Sequence, residues 1–241
     1  MNNILKKIVE RKKLDLSQLK KNKFVNLFRN KFVIIAEIKL ASPTVSFFGS
    51  EKDVIKRALT YKQAGADAIS VITEKHYFKG SPEFITRIKK VVSLPILQKD
   101  FVIDPYQIYE AKIIGANALL LIAKIVNKKN LTKFVSLCQK IGVEPIVEIN
   151  DEIDLKKTLS TTAKIIAVNA RNLETFVIEI DKACLLINKI PDRFIKLGFS
   201  GIKSLTEVKK YQRAGAKGVL VGTSLMKAKN IKQFIKNLIM P

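Results

Sequence analysis

Eight apolar, β-rich runs punctuate the chain: FVIIAEIK (32–39), DAISVIT (67–73), LPILQKDF (94–101), ALLLIAKI (118–125), EPIVEIN (144–150), KIIAVNAR (164–171), RFIKLGFS (193–200) and GVLVGTSL (218–225). Their apolar positions are nearly continuous rather than alternating, which is the pattern of strands covered on both faces, as in a parallel sheet. Between them lie segments with helical periodicity. Two of these open with Ser81-Pro82-Glu83 and Asp104-Pro105, each a cap residue followed by proline at the first helical position. One phrase recurs before strands as GADA (65–68), GANA (115–118) and GAKG (215–218), a glycine that ends a helix and leads into the next strand. Eight repeated βα units close most naturally into a (β/α)8 TIM barrel of the α/β class. Residues 1–241 therefore read as a single barrel domain, with 1–30 as an extra amino-terminal helical segment. A doubly wound sheet is the weaker alternative, because no strand is followed by a G-x-G-x-x-G turn and no phosphate loop of the form G-x-x-x-x-G-K-[ST] occurs.

Composition adds limits to this picture. With 241 residues, 47% of them hydrophobic, the chain can bury one large core. No stretch approaches the length of uninterrupted apolar sequence that a membrane span needs, and the basic amino terminus lacks an apolar core and a small-residue cleavage site. The expectation is a cytoplasmic protein, monomeric or weakly homo-oligomeric, with no membrane partner. Cys138 and Cys184 stand alone in sequence, so neither a zinc site nor a disulfide framework is indicated, and no metal is expected. Against 21 acidic residues there are 44 basic ones, a formal charge of +23. The lysines are scattered over nearly every helical segment without an arginine stripe or interleaved aromatic platform, so they read as solvated faces and nucleic acid is not expected as the primary partner.

In a barrel of this kind the chemistry sits at the carboxyl ends of the strands. Strand 1 ends in Glu37 and Lys39, which share a face because strand side chains alternate. Strand 3 ends in Lys99, strand 5 in Glu148, strand 6 in Asn169 and Arg171. A lone lysine in such a place snorkels to water; convergence from four strands points to a site. After strands 7 and 8, Gly201, Gly222 and Thr223 lead into helices, where backbone N–H groups can cradle a phosphate. Either glycine alone would be an ordinary turn residue; the pair in this location indicates an anionic, phosphorylated small molecule.

Several segments, in order, carry a family resemblance: IIAEIKLASP, ISVITEKHYFKGSPE, LPILQKDFVIDPYQIYEAKIIGANALLLI, PIVEIND, VNARNLETF and VLVGTSLM. Over nearly its whole length the chain resembles the indole-3-glycerol-phosphate synthases of tryptophan biosynthesis. The resemblance implies conversion of 1-(2-carboxyphenylamino)-1-deoxyribulose 5-phosphate to indole-3-glycerol phosphate, with loss of carbon dioxide and water and without metal or organic cofactor. By the same resemblance Lys99 is the general acid that protonates the ketone oxygen, Glu148 the acid/base group of the later dehydration, and Glu37 with Lys39 completes the charged site. Asn169, Arg171 and Ser200 would hold polar groups of the substrate; Ser42, Gly201, Gly222 and Thr223 match the phosphate positions. Pro43, Phe78, Phe101, Leu120 and Leu173 match the apolar wall around the anthranilate ring, although core packing explains those five equally well. His76, the only histidine, is expected to be a solvated loop residue. Two departures stand out. Where the family reads V-[AS]-E-S-G-I, this chain has Leu197-Gly198-Phe199-Ser200-Gly201-Ile202, so Phe199 replaces a carboxylate, and SPTVSFFG after strand 1 is less regular than the family's loop. Another phosphate-sugar barrel, such as phosphoribosylanthranilate isomerase, and a catalytically decayed barrel acting as a binding or assembly partner are the alternative readings.

Overall fold

A computed structural model describes residues 23–43, 47–172 and 174–239, together with 4, 6, 7 and 9–11. After a short helix, α1 (Lys23–Asn26), the strands β1 (Val33–Ile38), β2 (Ala68–Ile72), β3 (Ile96–Lys99), β4 (Ala118–Ile122), β5 (Glu144–Ile149), β6 (Ile165–Asn169), β7 (Ile195–Phe199) and β8 (Gly218–Val221) follow one another around a closed barrel. All neighbours pair in parallel, and β1 closes on β8 through Val33↔Gly218 to Ala36↔Val221. The intervening helices are α2 (Glu51–Gln63), α3 (Glu83–Lys89), α4 (Pro105–Ile113), α5 (Lys128–Ile141), α6 (Glu152–Leu159), α7 (Ile180–Asn188), α8 (Leu205–Arg213), α9 (Thr223–Lys227) and α10 (Ile231–Ile239). In the amino-terminal segment the described residues from Ile4 to Arg11 are helical, as are Lys23–Asn26.

The recurring GA phrase has a specific task at each joint. Gly65, Gly115 and Gly215 take φ of +91°, +87° and +92°, the left-handed conformation that ends a helix at small cost only for glycine. The residue two places on then ties the joint to the previous strand: the Asp67 carboxylate accepts the Ile34 N–H at 2.8 Å and the Asn117 amide oxygen the Ile96 N–H at 2.9 Å. At the helix starts, the Asp104 side chain accepts from the Tyr106 N–H at 2.8 Å with Pro105 next in line, as the sequence predicts.

Strand alternation divides the apolar residues into two cores. Ile34, Ala36 and Ile38 of β1 point outward against helical residues such as Val54, Ala58 and Tyr61. Val33 and Ile35 point inward with Ala68, Leu97, Leu120, Ile146, Ala167, Leu197 and Leu220, filling the barrel with side chains. Phe24 and Phe28, with ring centroids 6.0 Å apart, join this inner cluster from the amino-terminal side of the sheet.

Candidate active site

The inward alternation that builds the inner core also builds the site. Continuing it toward the carboxyl ends takes β1 from Val33 and Ile35 to Glu37 and Lys39, β3 from Leu97 to Lys99, β5 from Ile146 to Glu148, and β6 from Ile165 and Ala167 to Asn169. These residues line a cavity of about 690 Å³ with Arg171, Ser42, Pro43, Ser200, Gly201, Gly222 and Thr223, large enough for a drug-sized ligand. Thus the charges at the strand ends converge as expected.

Two ion pairs organise the charges. Lys39 Nζ lies 3.1 Å from Glu37 Oε1, donates to Thr223 Oγ1 at 2.9 Å, and sits 5.5 Å from the centroid of the Phe48 ring. Gly222 is required beneath it, because a Cβ there would stand 2.1 Å from Glu37 Oε1. Lys99 Nζ lies 3.8 Å from Glu148 Oε2. Glu148 is 1% exposed; its Oε1 accepts from Asn169 Nδ2 at 3.1 Å, while Oε2 has no hydrogen-bond donor among the described residues. A buried carboxylate oxygen with spare acceptor capacity beside a lysine is costly to keep unless a ligand completes it. Asn169 is itself oriented, since its Oδ1 accepts the Arg171 N–H at 3.0 Å and Asn150 Nδ2 donates to the carbonyls of Asn169 and Arg171 at 2.9 and 3.0 Å.

The Lys99-Asp100-Phe101 triplet divides its labour. Lys99 turns inward, while the Asp100 carboxylate accepts from the Thr73 hydroxyl and from the Phe101 N–H, fixing the loop. Phe101 then meets Phe78 with ring centroids 6.2 Å apart, forming an apolar wall with Pro43. The loop after β2 is held by Glu74, whose carboxylate accepts three backbone N–H groups from His76, Tyr77 and Phe78. Burial raises its pKa, but those bonds outweigh it and hold the carboxyl below its ordinary range. His76 is exposed on that loop, outside the cavity lining.

On the remaining side, Ser200 and Gly201 have φ of +72° and +81°. Gly201 is packed so closely that a Cβ would be 2.7 Å from Ile180 Cγ1. Ser224 Oγ donates to the Ile202 carbonyl at 2.5 Å, linking the loops after β7 and β8.

Some expectations shift. Leu120 is fully buried in the inner cluster, and the cavity wall is reached one inward step later on the same strand, by Ile122. Leu173 lies outside the described residues. Phe176 and Ile178, absent from the expected wall, line the cavity from the loop after β6, where Arg171 Nη1 donates to the Phe176 carbonyl at 3.1 Å. Only the aromatic and aliphatic character of that loop could have signalled them. Cys138 is buried and Cys184 half-buried, and both are free thiols. Among the described residues no helix is long and apolar enough to cross a membrane.

Comparison with solved structures gives the crystal structure of 3-hexulose-6-phosphate synthase, with a TM-score of 0.69 and 14% identity, covering 86% of this chain and 97% of that one; the likeness is one of fold. Sequence comparison is more specific. Curated relatives named indole-3-glycerol phosphate synthase include those of Caldanaerobacter subterraneus subsp. tengcongensis, 41% identical over 93% of this chain and 89% of that protein, and of Clostridium kluyveri, 38% identical over 97% and 90%. That of Aliarcobacter butzleri is 42% identical over 83% and 76%. With the indole-3-glycerol phosphate synthase family model matching residues 3–238 as well, the chain belongs to that family.

Proposed function

We propose that this site closes the indole ring of tryptophan biosynthesis through Lys99 and Glu148, acting on 1-(2-carboxyphenylamino)-1-deoxyribulose 5-phosphate. The phosphate is held by Ser42 and by the backbone at Gly201, Gly222 and Thr223, with Lys39 supplying positive charge nearby. Phe78, Phe101 and Pro43 enclose the carboxyphenyl ring, and Arg171 and Ser200 meet polar groups of the substrate. In the first step the ring carbon that bears the carboxylate attacks the ketone carbon, and Lys99 gives a proton to the ketone oxygen, which becomes a hydroxyl. Cleavage of the bond to the carboxyl group releases carbon dioxide and leaves its electron pair in the ring system. In the last step the hydroxyl departs as water, with Glu148 moving the proton, held by Asn169; Glu37 supports the charge balance through Lys39. A general acid or base so placed contributes on the order of 10² to 10⁴ in rate.

The observation that carries this reading is the 3.8 Å approach of Lys99 Nζ to the spare oxygen of Glu148 inside a cavity lined by Phe78, Phe101, Gly201 and Gly222. All of these groups come from one chain, which supports action as a monomer or weak homo-oligomer; two free thiols support a reducing cytoplasm. The test is the appearance of indole-3-glycerol phosphate fluorescence with purified protein. In Lys99→Ala, kcat is expected to fall by about 10² to 10⁴ while substrate affinity stays within about tenfold. Equal kinetics in mutant and parent would remove Lys99 from the mechanism.

A further inference from the structure

We infer that Tyr211, on the outer helix α8, is a positioning residue for the phosphate site, acting through the backbone of Ser200 and Gly201; the inference rests on the phosphate reading given above. Tyr211 is fully buried between α8 and β7. Its ring lies against Gly198, where a Cβ would stand 2.2 Å from Tyr211 Cδ1, so only glycine in that strand admits the ring this close. From there the hydroxyl reaches past the end of β7 and shares its one proton between two successive carbonyls, those of Phe199 and Ser200, each at 3.1 Å.

The Phe199 carbonyl also accepts the Ala170 N–H at 2.9 Å from the β6 side, so the oxygen that Tyr211 orients is that of Ser200. In a trans peptide unit the C=O and the following N–H point in opposite directions, so drawing the Ser200 carbonyl toward α8 turns the Gly201 N–H away from it. Both residues line the cavity. The hold is needed because Ser200 adopts φ of +72°, a conformation that a residue with a side chain keeps only when its surroundings impose it. Burial raises the pKa of the Tyr211 phenol, so the hydroxyl remains a donor at every pH at which the enzyme would work. The phenol touches no substrate; it sets the orientation of the groups that do.

The test compares the parent with Tyr211→Phe, which removes the hydroxyl and keeps the ring. Loss of one hydrogen-bonding group should raise KM and the inhibition constant of inorganic phosphate together, by about five- to tenfold. Because phosphate is gripped alike before and during reaction, kcat should stay within about twofold. A purely structural role would lower kcat and stability and leave the inhibition constant unmoved. Gly198→Ala, which keeps the hydroxyl but pushes the ring outward, is the second variant and should reproduce the same split. Unchanged KM in a folded Tyr211→Phe, kcat and KM changing together in both variants, or failure of both to fold would overturn the assignment. If inorganic phosphate does not compete in the parent, the phosphate reading itself falls, and that result is distinct from competition that Tyr211→Phe leaves untouched.

Discussion

Phe199 lines the base of the cavity, buried with Leu197 and Leu220 and level with Asn169 on β6. Its ring extends the apolar interior one step closer to the mouth, and the two carboxylates named for the chemistry, Glu37 and Glu148, are each matched to a lysine. Restoring the family's carboxylate with Phe199→Glu should therefore have two separable effects. The exchange loses aromatic packing and buries a charge, and should lower stability by about 2–4 kcal/mol, read as a drop in Tm. In the protein that remains folded, a third carboxylate in the cavity that Lys99 and Arg171 also line should raise kcat. A folded variant with unchanged kcat would mean that Glu148 and Glu37 already do the work.

At the scale of the elements, β5 carries the enzyme's charge at its far end and a second buried acid at its start. Glu144 opens the strand, with Lys164 ahead of β6 and the Cys138 thiol of α5 as its charged or titratable neighbours. Burial pushes its carboxyl from an ordinary 4.5 up to about 7, against the opposing pull of Lys164. The folded protein then holds a proton that the unfolded chain gives up, so Glu144 makes stability decline as pH rises from about 4.5 to about 7 and no further above that. Glu144→Gln should remove up to about 3 kcal/mol of that decline, and urea midpoints across this range would show it as a flatter profile. Element types were legible because the strands are apolar on both faces and three of the joints repeat the GA phrase. Strand ends were less so: the runs of β4 and β8 read on to 125 and 225, whereas the chain turns into a single 3-10 turn at Ala123–Ile125 and into α9 at Thr223. Short apolar runs look alike in either conformation. Leu120 shows a related limit, for alternation reveals which residues face inward, while depth depends on the stagger between strands, which no single strand displays. The role of Tyr211 is hidden in the sequence for the same reason, since nothing in α8 alone marks a hydroxyl that reaches across to β7.

For the molecule as a whole, a formal charge of +23 surrounds a site meant for a phosphate and a carboxylate. Electrostatic capture of such a substrate weakens as counterions screen the surface, so KM should rise and kcat/KM fall between about 0.05 and about 0.5 M salt, with kcat little changed. A salt-independent kcat/KM would show that the surface charge takes no part in capture. The opposite end of the barrel sets a different condition. Among the described residues, Phe24 and Phe28 stop the floor against Val33 and Ile35 and the staves close on one another, so the mouth at the carboxyl ends of the strands is the door. Carbon dioxide born in the middle of the reaction must slip out past a sugar still moored by its phosphate, and fresh substrate must wait outside until the finished indole has gone. Traffic through one opening makes the enzyme answerable to its own product, which at high concentration should queue in the doorway and slow the next turn.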